Sequence, residues 1–328
     1  MGYRVLCLTD HSRHTEHNSL YSLCRSMLAD DRVTSLLVAS RGFDRNAPFF
    51  SDMSSTKVMA APIGSDFKYR DDDVLFKRDW KEVEIDDFDL ILCRFPFPIK
   101  PGFLEYLAEC TDEKKIINRP SGILETSNKA FLFNFTSFCP PMQLCRSIED
   151  ILAFARIFPI VLKPLMSYGG QGVVKVENGL VNPGKEALPL EKYIRNSDIE
   201  FPILAMKFLK RVTEGDKRIV VANKKIITTT LRYPPEGSWL CNVAQGGRAE
   251  LTEPTDWEVR MVSEISPVLL KKGIVVYGMD TLLNDDGKRV LSELNTLSIG
   301  GIYPSEKQSK IPFSKMVSEG ILNYFAGL

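Results

Sequence analysis

The chain has 328 residues, with 42 Lys and Arg against 42 Asp and Glu, and is 44% hydrophobic and 26% charged. Zero net charge removes the basic footprint of a nucleic-acid binder and the acidic bias of a solvating tail, and the length exceeds one small core, so two or three subdomains are expected. The longest apolar runs, such as Gly273–Met279, are strand-sized and fall short of the roughly 18 residues of a membrane span.

Residues 3–9 read as a first strand, and the stretch Met1–Asp10 carries no small-residue cleavage site of a signal peptide. Leu20, Leu23, Cys24, Met27 and Leu28 then fall on one helix face, the strand–loop–helix opening of an α/β layer. The acidic run Asp71-Asp72-Asp73 reads as a solvated loop. Leu90–Phe95 and Ile116–Asn118 read as short strands flanking a helix over Gly102–Cys110, and the first domain closes near residue 120. Ser147 with Asp150 resembles a capping box before an apolar helical pattern reaching Phe158. From residue 160 onward β-rich segments dominate: Ile160–Leu165, Val173–Val176, Ile203–Leu209, Arg218–Ala222, Lys225–Leu231, Ile274–Leu283 and Val290–Thr296. Asn223-Lys224 and Asn284-Asp-Asp-Gly287 mark hairpins and hence antiparallel sheets, with one helix over about Asp256–Lys272 closed by Gly273. The seven dispersed cysteines, without CxxC spacing, suggest reduced thiols and a cytoplasmic address.

Three segments carry chemistry. Ser167-Tyr-Gly-Gly-Gln-Gly172 joins two strands, and its glycines let bare N–H groups approach phosphate oxygens; it matches neither GxxxxGK[ST] nor GxGxxG, and a plain glycine turn fits as well. Lys163 interrupts an apolar strand just upstream, and Lys129 heads an apolar segment read as a helix. The two suit a polyphosphate, although each alone reads equally as a surface lysine with a buried stem. Glu293 and Asn295, two apart on a strand, share a face, and a hairpin brings Asp280 beside them. Two carboxylates and an amide oxygen suit magnesium, and the absence of sulfur or imidazole argues against zinc or copper; a solvent-facing strand is the plain alternative. The Gly- and Pro-rich segment Arg232–Arg248 has the length of a functional loop. Folded over a nucleotide, it lets Arg218, Arg232 and Arg248 stabilise phosphoryl charge, and otherwise it is a surface loop with paired arginines.

The ordered series Asn118-Arg-Pro120, Asn128-Lys129, Leu162-Lys163-Pro164 with the glycine loop, Gly215-Asp-Lys-Arg218, Asn242 with Gly246-Gly-Arg248, Gly278-Met-Asp280 and Glu293-Leu-Asn295 resembles the ATP-grasp ligases. Within them the chain is most similar to bacterial glutathione synthetases, from about Leu90 to Asn295 and more faintly at the N-terminus. The resemblance implies an α/β (α+β) ATP-grasp fold, with an N-terminal Rossmann-like pre-ATP-grasp domain over 1–122 and an ATP-grasp domain over 123–328. The latter divides into a lid over about 129–205 and a catalytic subdomain over about 206–328. It further implies that Lys129, Lys163, Gly169, Gly170 and Gly172 contact ATP phosphates, that Met206, Lys207, Phe208 and Leu209 hold adenine, and that Asp216 meets the ribose. Arg218, Arg232, Asn242 and Arg248 would be catalytic, and Asp280, Glu293 and Asn295 would hold magnesium, with manganese as a substitute. The implied reaction forms an acyl phosphate on a carboxylate, which an amine then attacks; in the family the acid is γ-glutamylcysteine and the amine glycine. A related ligase with another acid and amine, and a non-catalytic ATP-binding protein, stand as alternatives. The implied partners are a small molecule or dipeptide and a second copy in a dimer or tetramer, with no nucleic acid and no membrane.

Where the family usually continues Asn-Val-Thr-Ser-Pro-Thr, this chain reads Asn295-Thr-Leu-Ser-Ile-Gly-Gly301. That stretch lies where the peptide substrate binds, so Ser298, Gly300 and Gly301 are candidate substrate residues. Arg94, ending a strand, is the candidate for a substrate carboxylate. The three histidines, His11, His14 and His17, crowd into the loop after the first strand and read either as substrate contacts or as a solvated loop, with zinc disfavoured by their spacing.

Overall fold

The structure, a computed structural model, describes residues 2–72, 74–77, 80–167, 169–182, 187–197, 199–240 and 248–328. Three sheets follow one another along the chain. The first holds β1 (Tyr3–Thr9), β2 (Val33–Ser40), β3 (Lys57–Pro62), β4 (Lys81–Glu84), β5 (Leu90–Arg94) and β6 (Ile116–Ile117), in the order β4-β3-β2-β1-β5-β6. β1 runs parallel to both β2 and β5, so the chain steps to opposite sides of β1 and leaves a crevice at the carboxyl ends of β1 and β5. Val5, Leu6, Cys7 and Leu8 of β1 are fully buried, as a central parallel strand covered on both faces requires. Helix α1 (Leu20–Leu28) buries Leu20, Leu23, Cys24 and Met27, the stripe read from the sequence. The short α2 (Ala47–Phe50), then α3 (Phe103–Cys110) and α4 (Pro120–Thr126), complete this layer.

The second sheet is antiparallel and holds β7 (Met142–Cys145), β8 (Ile160–Lys163), β9 (Val174–Glu177), β10 (Leu180–Val181), β11 (Leu188–Pro189) and β12 (Ile203–Lys207), in the order β11-β10-β9-β8-β12-β7. Helices α5 (Ile148–Ala155) and α6 (Leu190–Asn196) share a separate core with it. Ser147 caps α5 by accepting from the Asp150 N–H at 3.2 Å, but the Asp150 carboxylate turns to the Arg146 N–H at 2.7 Å instead of back to Ser147, so only half of the capping box forms. Lys129 heads a 3₁₀ segment, Lys129–Phe135, where the sequence pattern suggested an α-helix.

The third sheet is also antiparallel: β13 (Asp216–Ala222), β14 (Lys225–Tyr233), β15 (Arg248–Leu251), β16 (Val276–Leu283) and β17 (Arg289–Asn295), in the order β15-β14-β13-β16-β17. Both expected hairpins are present; Asn223 and Lys224 sit at φ 45° and 69°, the left-handed pair a two-residue turn requires. Helix α7 (Asp256–Lys271) starts at a full capping box between Thr255 and Glu258. Two helices absent from the sequence reading follow, α8 (Ile302–Ser309) and α9 (Phe313–Phe325). The buried residues of α9, Phe313, Val317, Ile321 and Leu322, share one core with β1, β2 and α1 and with Val220 and Ala222 of β13. The N-terminal layer and the third sheet are therefore packed into one body.

Asn118 ties them further. Its Oδ1 accepts from the N–H groups of Val275 and Val276 at 2.8 and 3.0 Å, and its Nδ2 donates to the carbonyls of Val276 and Thr296 at 2.6 and 2.7 Å. One buried amide thus satisfies four backbone groups at the base of β16 and β17. Replacing it with a leucine of similar volume strands those groups, and each buried unsatisfied group costs about 1–3 kcal/mol. Asn118→Leu is expected to lower unfolding stability by about 3 kcal/mol or more in a denaturant titration; a loss below about 1 kcal/mol would contradict the account.

Candidate active site

A cleft of about 470 Å³ opens between the second and third sheets. Its floor is set by strand register. Asp280 pairs directly across from Glu293, and Gly278 from Asn295, so the three polar side chains project from one face. Arg218 pairs across from Asp280 on the other side, and Asp216 from Arg232. The result is a chain of alternating charge. Arg218 donates through Nε and Nη2 to Asp280 at 2.5 and 2.7 Å, Arg232 reaches Asp280 at 3.1 Å, and Arg232 grips Asp216 at 2.6 and 2.7 Å. Burial alone would raise the Asp280 carboxyl, yet the two guanidiniums outweigh it and hold it below its ordinary value. Asp216 goes the other way, because burial and the neighbouring Asp280 charge prevail over its arginine.

Two lysines reach the floor strand β17 from the second sheet's side. Lys163 ends β8 with its Nζ donating to the Ser292 carbonyl at 3.1 Å. The Lys129 Nζ donates to Ser167 and lies 3.9 Å from Glu293 Oε1. Burial lowers the pKa of both ammoniums against the opposing pull of Glu293, so an anion placed between them would be welcomed. Gly169 and Gly170, at φ 63° and 77°, border the cleft, as a phosphate-cradling loop needs. Gly172, at φ 69°, does not line it: a Cβ there would meet Pro164 Cγ at 2.8 Å, so this glycine serves the packing of the turn.

The end of β12 and the residues after it, Met206, Lys207, Phe208 and Leu209, line an apolar end together with Val161, Val173, Val212 and Leu282, a slot suited to a flat ring. Lys207 spans to Asp285 at 2.7 Å and joins the two sheets there. Trp239, in the segment flagged as a functional loop, packs edge-on against Phe208 at 5.6 Å and lines the same end with Leu240. The valines and Leu282 carry no signal in sequence, being indistinguishable from any core residue until the sheets are paired.

Arg248 is a correction. It lies on edge strand β15, 69% exposed, paired with Glu250 at 2.8 Å and stacked over Tyr233, and it does not line the cleft. Pairing to β14 fixes its direction, and its position beside the loop did not. Asn242 lies outside the described residues.

At the far end of the cleft stand Phe95, Pro96, Phe97, Leu297 and Ser298. Arg94, at the carboxyl end of β5, donates from Nη2 to the Ile299 carbonyl at 3.0 Å, while its buried Nε has no hydrogen-bond partner among the described residues. Burial lowers its pKa. Arg94 itself does not line the cleft; its part-buried guanidinium, with donors to spare behind Phe95 at the strand-order crevice, has the chemistry to take a carboxylate. Of the 296–301 stretch, Thr296, Leu297 and Ser298 line the cleft, Leu297 also packing into the core beneath it, and Ile299 is buried in the core shared with α9. Gly300 and Gly301 do not line it; Gly301 precedes α8 at φ 92°.

None of the three loop histidines lines the cleft, and two of them are buried although most of the rest of the loop is exposed. His11 is buried, bonded to Ser40 at 2.5 Å and stacked on Phe76, and His14 is buried between Thr9 and Tyr21; His17 is exposed beside Glu16. Among the described residues no group of three or more His, Cys, Asp or Glu is placed to hold a metal. The donor set on the floor is two carboxylates and the Asn295 amide, hard oxygens that fit magnesium or manganese. No helix among the described residues is long and apolar enough to cross a membrane, and the six described cysteines form no disulfide.

Burial pulls His14 from its ordinary 6.5 to about 4, with His11 and Arg94 adding to the effect against Asp10. The unfolded chain takes up this proton first as pH falls, so the stability linked to His14 is full above pH 6.5 and lost between there and pH 4. A depression of that size is worth roughly 3 kcal/mol. In unfolding titrations at descending pH, the wild type is expected to lose stability across that window more steeply than His14→Gln; equal slopes would contradict the assignment.

The comparisons agree with this geometry. Residues 128–310 match the family model of the prokaryotic glutathione synthetase ATP-grasp domain. The chain is 31% identical over 254 residues to the glutathione synthetase of Prochlorococcus marinus subsp. pastoris, covering 76% of this chain and 79% of that one. It is 28% identical over 247 residues to that of Escherichia coli, covering 74% and 75%. Among solved structures it resembles the D-cycloserine synthetase DcsG, with TM-score 0.64 and 10% identity over 96% of this chain and 99% of that one. It also resembles a RimK domain ATP-grasp protein from Sphaerobacter thermophilus, with TM-score 0.60 and 15% identity over 97% and 98%; at such identities these two show the fold alone. A cleft walled by lysines and glycines and floored by carboxylates on paired strands thus sits in a chain that belongs to the prokaryotic glutathione synthetase family and carries its ATP-grasp domain.

Proposed function

We propose that this chain is an ATP-dependent ligase that joins the carboxylate of γ-glutamylcysteine to the amine of glycine. The single observation that carries the reading is the convergence in one cleft of Lys129 and Lys163 with Asp280, Glu293 and Asn295 of the paired strands, beside Gly169 and Gly170. An adenine fits the apolar end at Met206–Leu209, which directs the phosphates toward Gly169, Gly170 and the two lysines. Asp280, Glu293 and Asn295 would hold a magnesium ion, which when bound screens phosphate charge. Arg218 and Arg232, already aimed by their carboxylate partners, neutralise charge that develops on the transferred phosphoryl group.

The acid binds with a carboxylate on Arg94, the part-buried guanidinium with unsatisfied capacity. Its reacting carboxylate oxygen takes the γ-phosphoryl group and ADP departs. The amine nitrogen then attacks the acyl carbon, the carbon–oxygen bond to phosphate breaks, the oxygen leaves with phosphate, and the proton shed by the nitrogen goes to the departing phosphate or to water. Such chemistry needs positioning and charge neutralisation more than an acid–base pair, in keeping with a site of Lys, Arg and glycine N–H groups.

With γ-glutamylcysteine, glycine, ATP and magnesium, the wild type is expected to release phosphate, and Glu293→Gln to release it at least about 100-fold more slowly. Unchanged turnover in that variant would remove Glu293 from the site. Lys163→Ala is expected to weaken ATP binding about tenfold by calorimetry, the worth of one charge-assisted contact; equal affinity would place the triphosphate elsewhere.

A further inference from the structure

The loop after β1 is not part of the cleft, yet it is wired to the wall of its substrate end. Thr9 Oγ1 donates to the Arg94 carbonyl at 3.0 Å, which commits its one proton. Its contact with His14 Nε2 at 2.9 Å must then be one in which the ring donates. With the proton on Nε2, His14 Nδ1 accepts from the Tyr21 hydroxyl at 2.8 Å. Every proton in the series is therefore placed: Tyr21 donates to His14, His14 to Thr9, and Thr9 to the backbone of Arg94. All three side chains are buried, so no water competes for these bonds.

A second set reaches the same segment. Asp10 accepts from Ser12 and from Arg41 Nε and Nη2 at 3.0 and 2.8 Å. Arg41 Nη1 in turn donates to the Pro98 carbonyl at 2.8 Å. Residues 94–98, which leave the sheet at the end of β5 and have no ladder partner beyond it, are thus held by side chains at both ends. Between those two anchors, Phe95, Pro96 and Phe97 face the cleft.

We propose that Tyr21, His14 and Thr9 form a positioning relay that sets the aim of the Arg94 guanidinium and so the recognition of the acid substrate. The proposal rests on the reading of Arg94 as the acid's contact. A carbonyl fixed in direction fixes the peptide plane from which the side chain departs, and a small misplacement of a binding group is costly when its partner is a planar carboxylate. Like His14, the hydroxyl at residue 9 both accepts and donates; valine has its shape without either function, and serine keeps both.

The test compares wild type, Thr9→Val, Thr9→Ser and Tyr21→Phe as full chains, with two readouts. By phosphate release, Thr9→Val and Tyr21→Phe are expected to raise KM for γ-glutamylcysteine about tenfold, the worth of one buried hydrogen bond, with KM for ATP unmoved. Thr9→Ser is expected to restore the wild-type value. By amide hydrogen exchange without substrate, Phe95 and Phe97 are expected to exchange faster in the first two variants and normally in the third. Unchanged exchange at Phe95 and Phe97, or a parallel rise of both KM values, would overturn the relay. Should the wild type release no phosphate with this acid, the functional reading fails, and the exchange readout alone decides the relay. If Thr9→Val does not fold, Tyr21→Phe, which removes a single oxygen, carries both readouts.

Discussion

The interaction on which the site depends is the carboxylate of Asp280 held between two arginines. It sits where β13, β16 and β17 run side by side, and each partner arrives by strand pairing: Arg218 from one neighbour, Glu293 from the other. Buried ion pairs contribute little net stability, because desolvation offsets their attraction. What this network provides is orientation. Two guanidiniums are aimed into the cleft, and two carboxylates are kept from repelling one another, before any ligand arrives. A triphosphate entering from the lysine side meets positive groups that need not rearrange much, which is the condition for electrostatic stabilisation of a transferred phosphoryl group.

Around that centre the molecule keeps three surfaces in register. Asn118 stitches the N-terminal layer to the base of β16 and β17, and α9 closes the same seam from the far side. Because Phe95–Phe97 at one end of the cleft follow the first sheet and Asp280 at the other lies on the third, this seam sets the distance between the two ends. The second sheet carries Lys163 and the apolar slot at Met206–Leu209 and has its own core, joined to the third sheet at the cleft by contacts such as Lys207 with Asp285.

Much of this was legible in the sequence, for identifiable reasons. Asp280, Glu293 and Asn295 could be placed on one face because strands alternate with period two and Asn284–Gly287 marks the turn between them. Lys163 was legible because a lysine in an apolar strand needs an anion or an exit to solvent. Arg248 was not, since a residue at the end of a loop turns in or out according to the strand it joins. The burial of His11 and His14 depends on Ser40, Phe76 and Tyr21, partners that no local pattern brings to the loop. Helix α9 had a readable stripe at Phe313, Val317 and Ile321, but the β-rich texture from residue 160 onward masked it. The role of Asn118 as a four-way staple required knowing which strands lie beneath it.

The central claim is that a substrate carboxylate becomes an acyl phosphate in this cleft, and oxygen tracing tests it most directly. γ-Glutamylcysteine labelled with oxygen-18 in its reacting carboxylate would be turned over with glycine and unlabelled ATP, and the released phosphate examined by mass spectrometry. The account predicts that one labelled oxygen leaves with the phosphate, because the carbon–oxygen bond broken by the amine belonged to the acid. Phosphate free of label, with the new amide formed, would contradict it.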